Sequence, residues 1–191
     1  MLRRMVRSLV AWLLAGTVLL GPGAAPAAAD GNYTNCSAQN PTLHLRWSAN
    51  SQTFSRPDTW AANYRTALAN ASSNINSTTD FSWIRVSSGA VAPWANWNDP
   101  NSPGLAGVTQ SSFNNTTCRF TDQWFYFNFP HTDGDNVDQR QCTAVHEFGH
   151  GLGLNHVSGF RAMNANHTYR CHTNMIKTFQ GVDSAEANVL Y

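Results

Sequence analysis

The sequence lacks a hydrophobic run of membrane-spanning length. Its N-terminal apolar run, Val10 to Leu20, is shorter than the roughly 20 residues that a bilayer core requires, which argues against a membrane anchor. Three arginines precede this run, and small residues ending in Ala29 follow it, which is the layout of a secretory signal. We therefore expect residues 1–29 to be a signal peptide and the mature chain to begin at Asp30, secreted and without a membrane partner.

The sequence also lacks an excess of charge of either sign. It contains 12 Lys and Arg against 11 Asp and Glu, and removal of Arg3, Arg4 and Arg7 with the signal leaves a slightly acidic chain. Nothing in this balance points to nucleic acid or another polyanion as a partner. Residues 30–191 contain no repeat or low-complexity tract, and about 160 residues make one ordinary domain. We expect a single monomeric domain.

Cysteine is scarce, and the sequence has no CxxC pair. Cysteine-ligated zinc sites need such close pairs, so the cysteines are not predicted to bind zinc. An even number of cysteines in an exported chain favours disulfides. Three pairings are open for the four cysteines, which are Cys36, Cys118, Cys142 and Cys171. We favour Cys36 with Cys118 and Cys142 with Cys171, since the second pair would join the segments before and after the histidine-rich stretch at residues 146–156.

Hydrophobic periodicity predicts an α+β domain. The predicted strands are Thr42 to Trp47, Phe81 to Val86, Leu105 to Thr109 and Gln123 to Phe129. The predicted helices are Pro57 to Asn74, Cys142 to Leu152 and Ser184 to Leu190, with Asp183 as the cap of the last helix and Glu186 completing its capping box. Residues 89–103 and 130–141 are rich in turn-forming residues and are predicted to be surface loops.

The stretch HEFGHGLGLNH, residues 146–156, carries the strongest functional signal. His146 and His150 are four residues apart, so a helix places them on one face, where both imidazoles can bind one metal ion. Gly153 can adopt a left-handed conformation and turn the chain, which would bring His156 back to the same ion. An accidental HExxH on a surface helix is common, but five fixed positions by chance are rare.

Three protein ligands leave the fourth position of a zinc ion to water, which is typical of a catalytic site. Zinc lowers the pKa of that water toward roughly 7. Glu147 directly follows the first ligand and is the candidate general base that accepts the proton of the water and passes it to the leaving amine. The motif therefore predicts peptide hydrolysis by one Zn²⁺ ion held by His146, His150 and His156.

This stretch resembles the HExxHxxGxxH zinc signature of the metzincin metallopeptidases, and most closely that of the matrixin group. The order of elements from LHLRW to VDSAEANVLY also follows that family. The resemblance implies a metzincin-like catalytic domain with a twisted mixed sheet, an edge strand over the cleft, an active-site helix and a C-terminal helix. The implied activity is that of a secreted zinc-dependent endopeptidase.

The resemblance also implies roles for residues outside the motif. A methionine is expected in a tight turn beneath the metal, and Met163 is the natural match, with Met175 as the alternative. The segment after it, residues 164–178, would form the wall of the pocket beyond the cleaved bond. An extended substrate would pair with the edge strand, whose expected contact residues are Leu105, Ala106, Gly107 and Val108.

Two family features are missing or altered. Only about twelve residues separate Asp30 from the first predicted strand, and no cysteine-switch motif surrounds Cys36, so we expect activity without proteolytic maturation. Matrixins also bind structural metal ions. One loop could bind calcium through its carboxylates, although it lacks EF-hand spacing and acidic residues are common in exposed loops; the candidate ligands are His131, Asp133, Asp135 and Asp138.

Two other functions are compatible with the sequence. One is a secreted binding or toxin-like protein that holds the metal with little turnover, although such a protein would not need Glu147. The other is a peptidase that cleaves cell-wall crosslinks, although the sequence contains no repeat-like wall-binding segment.

Overall fold

The chain forms two β-sheets within the residues that the structure, a computed structural model, describes, which are 33–37, 40–102 and 104–191. The predicted signal peptide lies outside these residues. The strands are β1 (Asn35–Ser37), β2 (Asn40–His44), β3 (Ser51–Ser55), β4 (Ser82–Arg85), β5 (Ala92–Trp97), β6 (Gly107–Asn114) and β7 (Arg119–Asn128). Strands β1 and β2 pair with each other, and the other five form one sheet in the order β4-β3-β5-β7-β6.

The larger sheet is mixed. Strand β3 pairs in parallel with β4 and β5, and β5 pairs in parallel with β7, whereas β6 pairs antiparallel with β7 at the edge of the sheet. The helices are α1 (Ala62–Thr78), α2 (Phe129–Thr132), α3 (Val137–Gly151) and α4 (Gly181–Leu190), with a π-helical segment at Thr168–Thr173. The predicted α+β class is therefore confirmed.

Aromatic packing fixes α3 against the sheet. The ring of Phe148 lies 5.1–5.2 Å, between centroids, from the rings of Phe54, Trp83, Trp94 and Phe125. All five side chains are buried, and burial of a large apolar side chain contributes about 1.5–3 kcal/mol. Since residues two positions from Phe148 lie on the other side of a helix, this packing turns the side chains at 146 and 150 away from the sheet.

The prediction of a surface loop over residues 89–103 was wrong. Strand β5 lies in this stretch and pairs with both β3 and β7. Its side chains alternate, with Ala92 and Trp94 buried, so core packing overrides the turn propensity of the neighbouring Gly, Pro and Asn residues. Strand β3 was not predicted at all, and β2 ends three residues before the predicted strand end at Trp47.

Helix α3 begins five residues earlier than predicted, so the loop prediction for residues 130–141 was wrong at both ends, because α2 also covers part of it. Asn136 and Gln139 form a reciprocal cap, in which each backbone N–H donates to the other side chain at 2.9 and 3.0 Å. This pair satisfies backbone donors that a helix start leaves free.

Asp183 takes part in the cap of the last helix, but from the third helical position and with Gln180 as the cap residue, so the predicted pairing with Glu186 was wrong. Helix α4 begins at Gly181, so Asp183 lies inside its first turn. The Oδ2 atom of Asp183 accepts hydrogen bonds from the backbone N–H groups of Gln180, at 2.9 Å, and Ala162, at 3.1 Å. This buried carboxylate therefore joins α4 to the segment that follows the histidine motif.

Two disulfides join distant parts of the chain, in the pairing favoured from the sequence. Cys36 is bonded to Cys118, which links β1 to the turn between β6 and β7. Cys142 is bonded to Cys171, which links α3 to the π-helical segment. No helix within the described part of the chain is both long enough and apolar enough to span a bilayer.

Substitution of Gly153 by alanine is expected to lower the free energy of unfolding by about 2–5 kcal/mol. The φ angle of Gly153 is +98°, and a Cβ atom there would overlap the backbone oxygen of Leu45. A positive φ costs an alanine about 1–2 kcal/mol, and displacing the packed neighbour adds about 1–3 kcal/mol. Urea denaturation in chelator, followed by tryptophan fluorescence, measures this loss without a contribution from bound metal.

The matched control is Gly159→Ala, because Gly159 has a φ of +88° but open space around the added Cβ. It should lose only the conformational part, about 1–2 kcal/mol. Equal losses in the two variants would contradict the close contact between Gly153 and Leu45.

Candidate metal centre

Three imidazoles converge at the C-terminal part of α3. His146 and His150 lie one turn apart on the helix, and His156 lies in the segment after it. Their Nε2 atoms are 3.2 Å apart for His146 and His156, and 3.1 Å apart for the two pairs that include His150. Ligands about 2.1 Å from a tetrahedral metal ion such as zinc lie about 3.4 Å from one another. The spacing therefore fits one metal ion with three imidazole ligands.

The outer ring nitrogens show why a cation fits between these rings. His146 Nδ1 donates to the Ala162 carbonyl and His150 Nδ1 donates to the Leu154 carbonyl, each at 2.9 Å. A neutral imidazole has one N–H, so the Nε2 atoms of both rings present lone pairs. Lone pairs that converge at about 3 Å repel each other unless a cation lies between them, and such outer hydrogen bonds are typical of metal-ligating histidines.

Burial keeps these rings neutral and ready to ligate. Removal from water lowers the pKa of His146 well below its ordinary value and lowers the pKa of His150 to about 4. His156 is more exposed, and burial lowers its pKa as well. Because metal binding requires deprotonated imidazoles, no proton has to be displaced from these ligands near neutral pH.

A sharp turn at Gly153 returns the chain to the metal position. The Gly153 N–H donates to the His150 carbonyl at 2.9 Å, and the Leu154 N–H donates to the Gly149 carbonyl at 3.1 Å. These bonds end α3 through a residue in the left-handed region. The turn places the Leu154 carbonyl where it accepts from His150 and leaves His156 beside the other two rings.

Met163 lies directly beneath the helix that carries the first two histidines. It is fully buried, and a Cβ atom added at Gly149 would overlap its sulfur. The preceding residue, Ala162, accepts the His146 hydrogen bond and is itself held by Asp183. The turn that contains Met163 is thus fixed from two sides, by α3 and by α4.

An arginine completes the connection to α4. Arg161 forms ion pairs with Asp183, at 3.2 Å, and with Glu186. Both carboxylates are buried, and each would be costly without this partner. The function of the VDSAE stretch at the start of the last helix is therefore to hold the turn beneath the metal position.

Glu147 faces the cleft from α3 and is held by the edge strand. Its Oε2 atom lies 2.8 Å from the hydroxyl of Thr109, which can donate to it. The residue is 3% exposed, and burial raises the pKa of its carboxyl to about 7, although the Thr109 hydrogen bond opposes that shift. A carboxyl with a pKa near neutrality can both accept and release a proton.

Gly107 allows the edge strand to approach Glu147. A Cβ atom added at Gly107 would lie 2.7 Å from Glu147 Oε1 and 2.8 Å from its Cγ. The sequence predicted Gly107 only as a substrate contact, and it did not predict the contact of Thr109 with Glu147. The Gly107 and Thr109 contacts with Glu147 depend on how β6 lies over α3, which the local sequence does not predict.

A cleft of about 410 Å³ runs along β6 and is lined by the three histidines and Glu147. All four predicted substrate contacts line it, although Leu105 and Ala106 precede the strand instead of belonging to it. Ala165, His167 and Arg170 line it from the segment after Met163. Arg170 is a cleft residue that the sequence did not single out.

Asp135, His167 and His172 form a second group that could hold a metal ion. The Gln139 amide lies 2.9 Å from His172 Nδ1 and donates to it, because its oxygen already accepts from Asn136. This bond places the proton of a neutral His172 on Nε2, which lies 3.5 Å from Asp135 Oδ1. The proton on His172 Nε2 thus points toward Asp135, in contrast to the converging lone pairs of the first group.

The structure does not bring the expected calcium ligands together. Asp133 accepts from the Tyr64 hydroxyl at 2.9 Å, and Asp138 pairs with Lys177 at 2.7 Å. Asp135 belongs to the cluster with His172, and His131 belongs to neither metal-capable group found among the described residues. The carboxylates of this loop thus serve separate partners.

No protein-family model matches this sequence, and no curated protein matches it. Among solved structures, the chain is similar to the structure of myroilysin, with 15% sequence identity and a TM-score of 0.42. The similarity covers 71% of this chain and 63% of that chain, so this chain spans less than two thirds of the myroilysin structure.

We expect the purified chain to bind one divalent ion, and His156→Gln to lose it. Loss of an outer hydrogen bond alone weakens metal affinity by about 10–100-fold, so loss of a ligand should weaken it by more than about 100-fold. Metal content after dialysis, measured by atomic emission, tests this.

His172→Gln is the matched control, since it removes an imidazole from the second cluster only. It should keep the metal content of the unmodified chain. A bound ion that persists in His156→Gln but disappears in His172→Gln would contradict the assignment.

Proposed function

We propose that this protein is a secreted zinc-dependent endopeptidase, similar to the metzincins and among them to the matrixins. The observation that carries the proposal is the convergence of three imidazoles, two of them held as neutral rings by backbone carbonyls, beside a buried carboxyl in an open cleft. A structural metal site has no need of a free position or of Glu147. The arrangement therefore supports a hydrolytic site.

Zinc held by His146, His150 and His156 would polarise a substrate carbonyl and acidify a water molecule. Glu147 lies next to the first of these ligands, so its carboxylate can accept a proton from water at the moment of attack. The raised pKa of the carboxyl then allows it to deliver that proton to the departing amine. Thr109 and Gly107 restrict Glu147 to one position, which keeps the carboxylate aimed at the reacting atoms.

The edge strand supplies the binding surface in this proposal. An extended polypeptide laid along β6 could extend the sheet by backbone hydrogen bonds, and Leu105 to Val108 line the cleft at this edge. Alternate side chains of such a peptide would point into the cleft. A polypeptide substrate is thus supported by the shape of the site.

We further propose that residues 1–29 direct export and that residues 30–191 form the catalytic domain. The two disulfides agree with an oxidising compartment outside the cell. The monomeric state stays a prediction.

Glu147→Gln is expected to lower kcat by about 10²–10⁴-fold, because an amide cannot accept the proton. The substitution keeps the size of the side chain, so zinc content and the thermal unfolding midpoint should stay close to those of the unmodified chain. Digestion of an unfolded protein, with and without a chelator, gives the measurement. Undiminished cleavage by Glu147→Gln would remove this mechanism.

A chain that binds zinc yet cleaves no polypeptide would instead favour the binding or toxin-like function. Cleavage of cell-wall peptides, but of no other peptide, would favour a crosslink peptidase.

Gly107→Ala should lower kcat at unchanged zinc content, because the added Cβ displaces the Glu147 side chain. A misplacement of about 1 Å in a catalytic group can cost about 10²-fold in rate. Gly104→Ala is the control for a change in the cleft lining, since Gly104 also lines the cleft but has open space for a Cβ atom. Its φ of +84° costs about 1–2 kcal/mol of stability, so the two activities are compared per folded protein. Equal activity of the two variants would refute the steric role of Gly107.

A further inference from the structure

Arg170 is a buried cation in the wall of the cleft. It lies in the π-helical segment, which the Cys142–Cys171 disulfide ties to α3. The side chain is 2% exposed, and it lines the same cleft as the three histidines and Glu147. A guanidinium buried to this degree normally needs an anionic partner.

Within the described part of the chain, the protein does not supply that partner. Arg170 donates through Nη1 to the Asn164 carbonyl, and its Nε is buried without a hydrogen-bond partner. Among the described residues, no carboxylate lies within 4.0 Å of its guanidinium. Arg161, in contrast, engages two carboxylates. The charge of Arg170 is thus only partly compensated.

The charge acts across the whole cleft. Burial lowers the pKa of His146 and of His156, and the Arg170 charge is the next cause in both. Burial also lowers the pKa of Arg170, to about 10, and the opposing effect of Glu147 is the nearest anionic influence on it. Arg170 therefore remains protonated near neutral pH and makes its surroundings favourable for an anion.

Arg170 lines the cleft from the segment that follows Met163. His167, its neighbour in the lining, also borders an adjoining groove with Leu105 and Ala165. The small side chain of Ala165 leaves room there. Phe113 and Phe120, which are paired across β6 and β7, also line the cleft. The cleft thus combines a cationic side chain from the π-helical segment with aromatic rings from the sheet.

We propose that Arg170 binds a carboxylate of the substrate beside the cleaved bond, so that the protein selects peptides with an acidic group at this position. The inference rests on the proposed peptidase function. The carboxylate can belong to an Asp or Glu side chain or to the C-terminus of the peptide, and both present the same geometry to a guanidinium. In either case, the substrate carboxylate supplies the anionic partner that Arg170 lacks within the described part of the chain.

The test compares matched peptides that differ in one carboxylate. A set carries Glu or Gln at each position flanking the cleaved bond, and a second set ends in a free acid or an amide. The expected kcat/KM ratio of acid over amide is about 10–100-fold at one position, which is typical for a hydrogen bond to a charged group. A preference in the first set identifies a side chain, and a preference confined to the second identifies a terminal carboxylate.

Arg170→Gln should reduce this ratio to about one while the amide peptides are still cleaved. Arg170→Lys keeps the charge but not the planar fork, so it should retain an intermediate ratio and shows that the segment still folds. A merely structural role for Arg170 would lower kcat/KM equally for both peptides of a pair. An unchanged ratio in Arg170→Gln, or a ratio near one in the unmodified protein, overturns the proposal.

Binding provides a readout that does not depend on turnover. In the Glu147→Gln protein, calorimetry should show a lower Kd for the acidic peptide than for its amide partner, and Arg170→Gln in that background should abolish the difference. Cleavage without an acidic preference would contradict the role of Arg170 alone, whereas acid-selective binding without cleavage in the unmodified protein would contradict the peptidase function alone.

Discussion

The repulsion between imidazole lone pairs is the constraint on which the site depends. The Nε2 atoms of His146 and His150 lie 3.1 Å apart with His156 Nε2 beside them, and a cation bound between the rings would remove the repulsion of their lone pairs. Two of the rings hold their orientation because Ala162 and Leu154 accept their outer protons. The carbonyls of the segment after α3 therefore orient the rings of His146 and His150, so the position of this segment matters as much as that of the histidines.

That requirement explains why polar groups are buried so deeply around the turn. Asp183 and Glu186 are almost inaccessible, which costs free energy unless each is paired. Arg161 and the Ala162 N–H provide the pairing, and the result is a second anchor for the carbonyl that orients His146. The aromatic core around Phe148 provides the stability against which such a polar network can be maintained.

The convergence of the three histidines could be predicted from the sequence because their arrangement is local. Helical geometry alone relates His146 to His150, and one left-handed glycine returns His156. Thr109 and Arg170 could not be predicted, since their contacts with the site arise from strand register and from the path of a π-helical segment. Strand β5 was missed for the same reason: its Pro and Asn residues predict a loop, whereas burial of Ala92 and Trp94 between two neighbouring strands decides its conformation.

The charges of the cleft favour one kind of occupant. A divalent ion held by three neutral histidines would keep its full charge, and Arg170 adds another positive charge. Among the described residues, Glu147 is the single acidic group that lines the cleft. Because burial raises the pKa of its carboxyl, Glu147 carries less negative charge near neutral pH and offsets less of the positive charge. An interior with such an excess of positive charge attracts anions and repels cations. A substrate carboxylate next to Arg170 would reduce the excess without contacting the metal, so recognition of the peptide and hydrolysis of its bond could use separate charges in one cleft.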